Sequence, residues 1–578
     1  MGKLERQLKK ERKQEKQLQQ NMETALYSRN FTKFGFDLNP FVSFTAALLI
    51  LALSVYALIS NMELFGLRPA HEVFQDATAF VVSNADWVFI LATNFFIALG
   101  VYLAVSRLGN IRLGGLNAKP EFSRFAWYSM LISAGMGIGL MFWAVGEPLS
   151  HSEVIPPIYT GESENVGALA STFLHWGLHP WAIYAIMALA LAFFAYNKKL
   201  PLSMRSIFYP VFKERVFGRL GDVIDLIAVL ATLFGLATSL GLGVQQMNSG
   251  LNYLIPGIPF SPYVQVGLII FITAIATISI ISGIDKGVRF LSEMNIRIAG
   301  TFMLLVLLIG PTAVILRNFA TALGVYFGDF IPASMYISLD DTAARDWQGV
   351  WTIFYWSWWI SWSPFVGMFI ARVSRGRTIR EFIVAVLFVP SLLSFLWLSI
   401  FGGAAFNVNE AMGGGLFDIV EQDLPVAMFE MFNNFDIAFF QGAVAVILSI
   451  VATVLVMFFF ITSSDSGSIV VNAITSGGKT DTKSRQRVFW AAMEGLIAII
   501  LILIGGEQAL DALQNAVIMT GLPFAVLLFF MSLILLFSLQ STYQKQKHRR
   551  DVRMVRNIVE DEEIVQDIID EEDIQLGS

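Results

Sequence analysis

The chain has 578 residues, of which 55% are hydrophobic and 15% are charged, and its mean hydropathy is +0.63. Soluble proteins carry charges on about a quarter of their residues, so this composition argues against a soluble fold. The net charge of −6 discriminates little by itself, but the absence of cysteine excludes disulfides, thiolate metal sites and cysteine nucleophiles. The first apolar run begins near Pro40, behind a charged stretch, which is too late for a cleaved signal peptide.

The apolar residues fall in runs of about 20, each long enough for a helix to cross a ~30 Å hydrocarbon layer. Backbone groups in lipid must pair within their own segment, so the runs predict an all-α polytopic membrane protein. We predict a basic N-terminal tail at 1–38, a twelve-span core at 39–540 and a C-terminal tail at 541–578 that is first basic, then acidic. Twelve spans are predicted in the core, at 40–61, 84–106, 124–146, 172–196, 222–247, 263–283, 297–316, 349–371, 381–402, 437–461, 488–505 and 514–538.

The distribution of basic residues tests this count independently. With both termini in the cytoplasm, the inner loops hold 21 Lys and Arg residues, whereas the outer loops hold only Arg68, Arg317 and Arg345. This is the asymmetry expected of a multi-pass protein in a bacterial cytoplasmic membrane. The outer stretch 318–346 is apolar enough for an interfacial helix, with an irregular loop as the alternative.

Two spans carry residues that disfavour a continuous helix. Span 3 has glycines on alternate residues, Gly135, Gly137 and Gly139, and each glycine costs about 1 kcal/mol inside a helix. Span 8 contains Pro364, which removes a backbone donor and disfavours helix at Ser363. The two spans lie five apart, as they would if spans 3–7 and 8–12 were inverted repeats. Paired broken helices predict a substrate site near the midplane, while tight small-residue packing is the alternative.

Large aromatic residues gather in spans 4 and 8. Span 8 carries four tryptophans within seven residues, and at about 100° per residue three of them share one face with the fourth beside it. Interfacial anchoring explains a tryptophan at a helix end better than a group in mid-span. A cage of aromatic faces can hold a trimethylammonium group, which has no N–H to donate. The residues concerned are Trp176, Trp181, Tyr184, Trp356, Trp358, Trp359 and Trp362.

At these residues the chain resembles the betaine/choline/carnitine transporter family. The resemblance rests on GMGIGLMFWAVGEP at 135–148, FLHWGLHPWAIYA at 173–185, LGLGVQQ at 240–246, WSWWISWSPFVGMFIARVSRGRTIREF at 356–382 and ITSSDSGS at 461–468. It implies a leucine-transporter-type fold with two extra N-terminal helices, alternating access and a homotrimer.

The resemblance also implies roles for individual residues. An aromatic prism would consist of Trp176, Trp181, Tyr184 and Trp359, with Trp356, Trp358 and Trp362 flanking it or lining the pathway. The Gly135–Met136–Gly137 backbone would face the carboxylate of the substrate. Choline-selective relatives carry an aspartate where this chain has Gly139, which favours a zwitterion such as glycine betaine. Dimethylsulfoniopropionate, carnitine, ectoine, proline and choline remain open as substrates.

Sodium is the coupling ion that the resemblance implies, although proton coupling stays open. The hydroxyls of Thr462 and Ser463, with carbonyls of three further residues, would form an oxygen cage of the kind that hard cations prefer. Without the resemblance, ordinary bonding of these hydroxyls to the preceding helical turn is the simpler reading. A second sodium would use Thr232 and Phe365, but Leu236 replaces a hydroxyl one turn later. The three carbonyls of the main site belong to Ser133, Met136 and Phe459.

Other classes and partners fit less well. An enzyme would need clustered acids, histidines or cysteines, and only His175 and His179 share a predicted face, with no carboxylate partner evident. A channel should show rings of like charge. We expect no cofactor and no nucleic-acid partner, and we expect the basic juxtamembrane part of the C-terminal tail to meet anionic lipid. The tails are opposite in charge to those of osmotically regulated relatives, so osmosensing stays open.

Overall fold

The computed structural model describes residues 24, 27–61, 64–135, 137–282, 285–435, 441–479 and 482–576. Side chains at 61, 64, 134–135, 279–280, 282, 285–292, 441, 507 and 549–576 are outside the description. Most of the predicted basic N-terminal tail, the predicted ligand Met136 and the side chains of the distal C-terminal tail therefore lie outside the described residues.

The described chain is helical apart from turns, short loops and two isolated β-bridges, Phe31 with Leu38 and Arg112 with Thr378. Its fifteen long helices are α1 (Pro40–Asn61), α2 (Ala70–Val105), α3 (Arg124–Gly135), α4 (Ile138–Glu153), α5 (Glu164–Trp176), α6 (Leu178–Ala192), α7 (Arg219–Leu254), α8 (Pro262–Ser282), α9 (Asp285–Ile309), α10 (Thr312–Gly328), α11 (Phe354–Val373), α12 (Ile379–Ala411), α13 (Gln441–Thr475), α14 (Ser484–Gly505) and α15 (Ala509–Leu576). Short helices span Met204–Ile207, Tyr209–Phe212, Phe330–Ser334, Thr342–Gln348, Gly415–Gln422 and Ala427–Asn433.

Membrane-length helices dominate this architecture. Among the described residues, eight helices are long and apolar enough to cross a membrane, or ten if each of two bent pairs is one span. Each of the twelve predicted spans overlaps one of the fifteen helices. Two predicted spans correspond to helices that do not meet the criterion of length and apolarity. They are span 6, formed by α8, whose apolar part is short, and span 8, formed by α11, which is rich in serine and tryptophan. The chain is thus a multi-pass membrane protein, and the number twelve stays a prediction.

The glycine run interrupts span 3 as predicted. Gly137 has an extended backbone, with φ −150° and ψ −172°, and it precedes the first turn of α4. The axes of the two helices on either side, Arg124–Ser133 and Ile138–Glu153, differ by 64°. Span 3 is therefore a broken helix whose second half starts inside the bundle.

The predicted break at Pro364 is wrong. Helix α11 continues through Pro364 to Val373. Proline cannot donate to the carbonyl of Ile360, four residues earlier. The hydroxyl of Ser363 donates to that carbonyl instead, at 2.7 Å. A serine before the proline thus supplies the missing hydrogen bond, as polar side chains commonly do in membrane helices.

A second bend corrects the end of predicted span 7. Helix α9 ends at Ile309, not at 316, and α10 departs from it by 109°. The helix predicted within 318–346 is present, but it begins earlier, at Thr312. Pro311 precedes its first residue, and proline is well tolerated where a helix starts.

Helix α11 occupies the centre of the bundle. It packs along α6 on one side and against α7 and α15 on others. All four of its tryptophans are buried, as are Trp176 and Trp181. The aromatic side chains that the sequence singled out therefore face protein and not lipid.

A buried ion-pair cluster joins the start of α7 to the segments around it. Arg205 lies within 2.6 Å of Asp225 and 3.1 Å of Asp222, and all three side chains are at most 1% exposed. Asp222 also accepts a hydrogen bond from Arg29 at 2.8 Å and one from Asn39 at 2.8 Å. The segment before α1 is thereby fastened to α7. Removing Arg205 would leave the buried Asp225 without this partner, whereas Asp222 would keep Arg29.

We expect Arg205→Leu to lower the free energy of unfolding by about 3 kcal/mol or more, the usual cost of breaking a buried ion pair. The midpoint of thermal unfolding of the purified protein in detergent should fall by several degrees. Arg68→Leu is the control, because Arg68 is 59% exposed where it meets Asp76, and such pairs contribute little. Equal midpoints for the two variants would contradict a stabilising role for the cluster.

Candidate functional site

The aromatic side chains of three helices meet at the middle of α11. The indoles of Trp358 and Trp359 stack with centroids 4.7 Å apart and planes inclined by 13°. Trp176, the last residue of α5, stands edge-on to Trp359 at 4.8 Å, and Tyr184 of α6 meets Trp359 edge-on at 6.3 Å. We call these four residues, Trp176, Tyr184, Trp358 and Trp359, the aromatic cage.

Further aromatic rings extend the cage on both sides. Trp181 meets Tyr184 at 5.5 Å with the rings nearly perpendicular. Trp362 lies 6.5 Å from Trp358 and 5.4 Å from Phe365, so the row continues one turn along α11. Trp356 lies elsewhere, because its indole stacks on the imidazole of His179 at 4.9 Å. Of the seven aromatic residues that the sequence singled out, six thus form one connected group.

Three tryptophans of α11 bond their indole N–H groups to protein. Trp359 donates from Nε1 to the carbonyl of His175 at 2.9 Å. The helix break at Gly177 leaves this carbonyl available as an acceptor. Trp358 donates to the hydroxyl of Ser239 at 3.1 Å, and Trp362 donates to the carbonyl of Gly235 at 3.1 Å. The ring edges are therefore fixed in α7 and α5, which leaves the π faces as the chemically available surfaces.

One cage hydroxyl has no such partner. The hydroxyl of Tyr184 is buried and makes no hydrogen bond within the described part of the chain. A buried polar atom without a partner is costly, and such atoms occur where a ligand or water completes the bonding. Tyr184 is thus positioned to bond to a molecule held in the cage.

The glycines at the start of α4 touch the cage. A Cβ atom on Gly139 would lie 2.7 Å from Cη2 of Trp358 and 2.9 Å from Cη2 of Trp176. A Cβ on Gly137 would lie 3.7 Å from Cη2 of Trp362, which is an ordinary contact. The start of α4, with its unpaired N–H groups and positive end of the helix dipole, therefore lies against the indole rings.

A carboxylate lies beside the cage, in contacts that the sequence did not predict. Glu147 of α4 is fully buried, and its Oε1 lies 2.7 Å from Nδ1 of His175 and 3.5 Å from Nε2 of His151. Its Oε2 accepts from the indole N–H of Trp176 at 2.6 Å and from the hydroxyl of Tyr355. The expectation that no carboxylate partner is available is therefore wrong for His175. His179 bonds instead to Ser334, at 3.0 Å. The i, i+4 spacing of Glu147 and His151 was the available signal.

The side chains of Glu147, His151 and His175 have the types of atom that hold a metal ion, and these atoms lie within 4.8 Å of one another. The observed contacts favour a hydrogen-bonded cluster instead. Two ligands of a tetrahedral zinc lie about 3.4 Å apart, given bonds near 2.1 Å. The 2.7 Å between Glu147 and His175 is the length of a charge-assisted hydrogen bond. His175 also bonds through its other ring nitrogen to the hydroxyl of Thr352, at 3.1 Å.

The proposed cation ligands lie on α13 and α3. Thr462 donates its hydroxyl proton to the carbonyls of Phe458 and Phe459, at 2.9 and 3.2 Å, as a threonine in a helix ordinarily does. Ser463 and Ser133 are half-buried, and Met136 lies outside the described residues.

The residues suggested for a second cation lie on α7 and α11. Thr232 bonds to the carbonyl of Ala228 at 2.6 Å. Leu236 packs against Gly467 of α13, where a Cβ on the glycine would lie 2.6 Å from the leucine methyl carbon. An apolar contact between α7 and α13 thus occupies the position where a second hydroxyl would be needed.

Membrane-length helices, a helix broken inside the bundle and a buried aromatic cage at that break together define a polytopic membrane transporter of a small solute. Comparison with known proteins gives the family. The family description that matches residues 41–544 reads "BCCT, betaine/carnitine/choline family transporter". The chain belongs to this family.

Relatives match over nearly their whole lengths. The chain is 47% identical to glycine betaine transporter 1 of Vibrio parahaemolyticus, over 89% of this chain and 96% of the relative. It is 42% identical to a glycine betaine/proline/choline/ectoine transporter of the same organism, over 89% of each. It is 41% identical to the glycine betaine transporter OpuD of Bacillus subtilis, over 84% of this chain and 91% of the relative.

The contact of Gly139 with the cage can be tested by adding one methyl group. We expect Gly139→Ala to displace the indoles and to destabilise the protein by about 1–3 kcal/mol, as overpacking does. The near-ultraviolet circular dichroism of the purified protein should change at the same time. Gly137→Ala is the matched control, since its added carbon meets only an ordinary contact and its extended backbone suits any residue. If both variants keep the wild-type spectrum, the rings are not in contact with α4.

Proposed function

We propose that the protein is a secondary active transporter that imports glycine betaine by sodium symport with alternating access. The observation that carries this proposal is the aromatic cage, built by Trp176, Tyr184, Trp358 and Trp359 at the break in span 3. The family and the names of the relatives support the substrate class.

The cage suits a methylated ammonium group. A quaternary nitrogen cannot donate a hydrogen bond, so it is bound through the negative faces of aromatic rings, at about 2 kcal/mol or more for a desolvated contact. The indole N–H groups of Trp358 and Trp359 bond to protein, which keeps their faces available. The buried hydroxyl of Tyr184 remains for the polar end of the substrate or for a water beside it.

The surroundings of Gly139 favour a zwitterion over a simple cation. A side chain at this position would collide with Trp358 and Trp176 from its first carbon onward. A counter-ion for choline cannot enter from here without moving the cage. The carboxylate of glycine betaine supplies its own counter-charge, and the free N–H groups at the start of α4 around Gly137 offer donors for it.

Sodium coupling is proposed from the hydroxyls of α13. Thr462 donates its proton to helix carbonyls, so the lone pairs of its oxygen remain available to a cation. With Ser463, Ser133 and carbonyls of Met136 and Phe459, it would form an all-oxygen site of the kind sodium accepts. We propose a second sodium at Thr232 and Phe365 only as the weaker alternative, because Leu236 offers no oxygen and packs on Gly467.

The remaining proposals concern the assembly. We propose twelve spans in two inverted repeats after two extra helices, with both termini in the cytoplasm and the protein as a homotrimer in a bacterial inner membrane. Every predicted span overlaps a helix, and the basic residues favour this orientation. We propose that the basic juxtamembrane part of the C-terminal tail binds anionic lipid.

Uptake of radiolabelled glycine betaine into proteoliposomes tests the substrate and the cage together. We expect uptake driven by an inward sodium gradient, and we expect Trp359→Leu to reduce it at least ~100-fold, through the lost cation–π contacts and the disturbed neighbouring rings. Trp490→Leu is the matched control, since Trp490 is equally buried but lies in α14 outside the cage.

Three results would count against this proposal. Equal losses in both tryptophan variants would mean that uptake fails through general destabilisation. No betaine uptake by the wild type would turn the search to choline, ectoine, proline and sulfonium solutes. Uptake driven by a proton gradient alone would replace sodium as the coupling ion.

The coupling site has its own test. We expect the double variant Thr462→Ala/Ser463→Ala to raise the sodium concentration needed for half-maximal uptake ~10-fold or more, since two ligand oxygens are lost. Thr453→Ala is the control, because Thr453 lies on the same helix and makes the same bond to the preceding turn. An unchanged sodium dependence in the double variant would place the ion elsewhere.

A further inference from the structure

The fully buried carboxylate of Glu147 holds the cage from behind. We propose that Glu147 is the positioning residue of the aromatic cage: it fixes the indole of Trp176 for the ammonium group and places a negative charge behind that ring. The proposal deepens the proposed function and rests on it for the identity of the substrate.

The first step is the bonding of Glu147 itself. Its two oxygens accept three hydrogen bonds from three side chains, the indole of Trp176, the hydroxyl of Tyr355 and the imidazole of His175. Burying a carboxylate is costly unless such bonds compensate it. Because the donors come from α5 and α11 and the acid from α4, one carboxylate ties α4 to the two helices that supply three of the four cage residues.

The second step is the effect on the cage walls. The indole Nε1 of Trp176 is held by Glu147 of α4. The opposite edge of the ring, at Cη2, faces Gly139, which also lies on α4. The neighbouring residue, His175, is held by Glu147 through its side chain and offers its carbonyl to the indole of Trp359. The indoles of Trp176 and Trp359, whose ring centroids lie 4.8 Å apart, are therefore both held by contacts that lead to Glu147.

Tyr355 connects Glu147 to the stacked indoles of Trp358 and Trp359. Its hydroxyl bonds to Glu147, while its ring stacks on Trp359 at 5.7 Å and on Trp358 at 6.2 Å. The stacked pair is thus backed by a ring that Glu147 also holds. No other carboxylate within the described residues bonds to a cage indole.

The third step is electrostatic. A carboxylate that accepts an indole N–H pushes electron density into the ring, and cation–π attraction grows with the negative charge of the ring face. Glu147 can therefore favour the ammonium end of the substrate without touching it. This also explains how the site attracts a cation although Gly139 carries no side chain.

Glu147→Gln tests the proposal because it keeps the shape but removes the charge and one acceptor. We expect the KM for glycine betaine to rise ~10-fold or more with little change in maximal rate, since a hydrogen bond to a charged group and the charge itself are lost. Glu153→Gln is the matched control on the same helix, where the acid accepts a hydrogen bond from Asn409 at 2.8 Å and from no other side chain among the described residues. An unchanged KM in Glu147→Gln, or a fall in maximal rate alone, would overturn the positioning role.

A double-mutant cycle shows whether Glu147 acts through Trp176. Trp176→Phe removes the indole N–H but keeps an aromatic ring, so its effect on KM should not add to that of Glu147→Gln. Additive effects would mean that the two residues act separately, and the proposal would fail. Tyr355→Phe, which removes one hydroxyl, is the milder variant if Glu147→Gln does not fold, and it should raise KM by a smaller factor.

A measurement without substrate separates this inference from the proposed function. In protein labelled with 5-fluorotryptophan, the ¹⁹F resonance of Trp176, assigned by its loss in Trp176→Phe, should shift in Glu147→Gln and stay in place in Glu153→Gln. An unshifted resonance overturns the inference even if the wild type imports betaine. A shifted resonance supports it even if the wild type proves to import another methylated solute.

Discussion

The aromatic cage depends on where its indoles bond their N–H groups, since lipid and an apolar core offer no acceptor. Each of its three indoles reaches an oxygen of a neighbouring helix, whereas the buried indole of Trp356, outside the cage, has no acceptor within the described residues. Trp362 and Trp358 of α11 use Gly235 and Ser239, which lie one turn apart on α7. Trp359 uses the carbonyl that the helix break at Gly177 sets free. The same bonds that satisfy the indoles thus orient their faces toward one another.

The broken helix and the cage depend on each other sterically. Only a residue without a side chain lets α4 approach Trp176 and Trp358 as closely as Gly139 does. The extended backbone at Gly137 ends α3 and allows α4 to begin at the level of the rings. A continuous helix through this region would have paired its own N–H groups, and no donors would have remained beside the cage. The break therefore brings a polar helix end and an aromatic surface to one place.

Much of this arrangement could be predicted from the sequence because its signals are local. Helical periodicity grouped Trp358, Trp359 and Trp362, and alternate glycines predicted the break near Gly137. Pro364 was misjudged, because the hydroxyl of Ser363 replaces the hydrogen bond that the proline cannot make. The position of Trp356 in the tryptophan-rich part of span 8 predicted that it would lie near the cage, but its indole stacks on His179 instead. Such outcomes depend on which neighbours meet in space, and a single sequence does not specify them.

Glu147 illustrates the same difference most clearly. In the sequence it is an acid at the end of span 3, and an acid within a membrane is a functional candidate by default. Helix-end capping or a salt bridge to Arg124 or Arg372 was an equally reasonable interpretation. Arg124 instead pairs with Glu381, at 3.3 Å, and Glu147 turns inward to Trp176 and His175. The cage itself contains no acid, which suits a substrate that carries both charges. In the proposed binding mode, the carboxylate of Glu147 attracts the ammonium end through the indole of Trp176 and leaves the substrate's own carboxylate free to reach the N–H groups at the start of α4. Separating the two ends in this way would let one site hold a molecule that has no net charge.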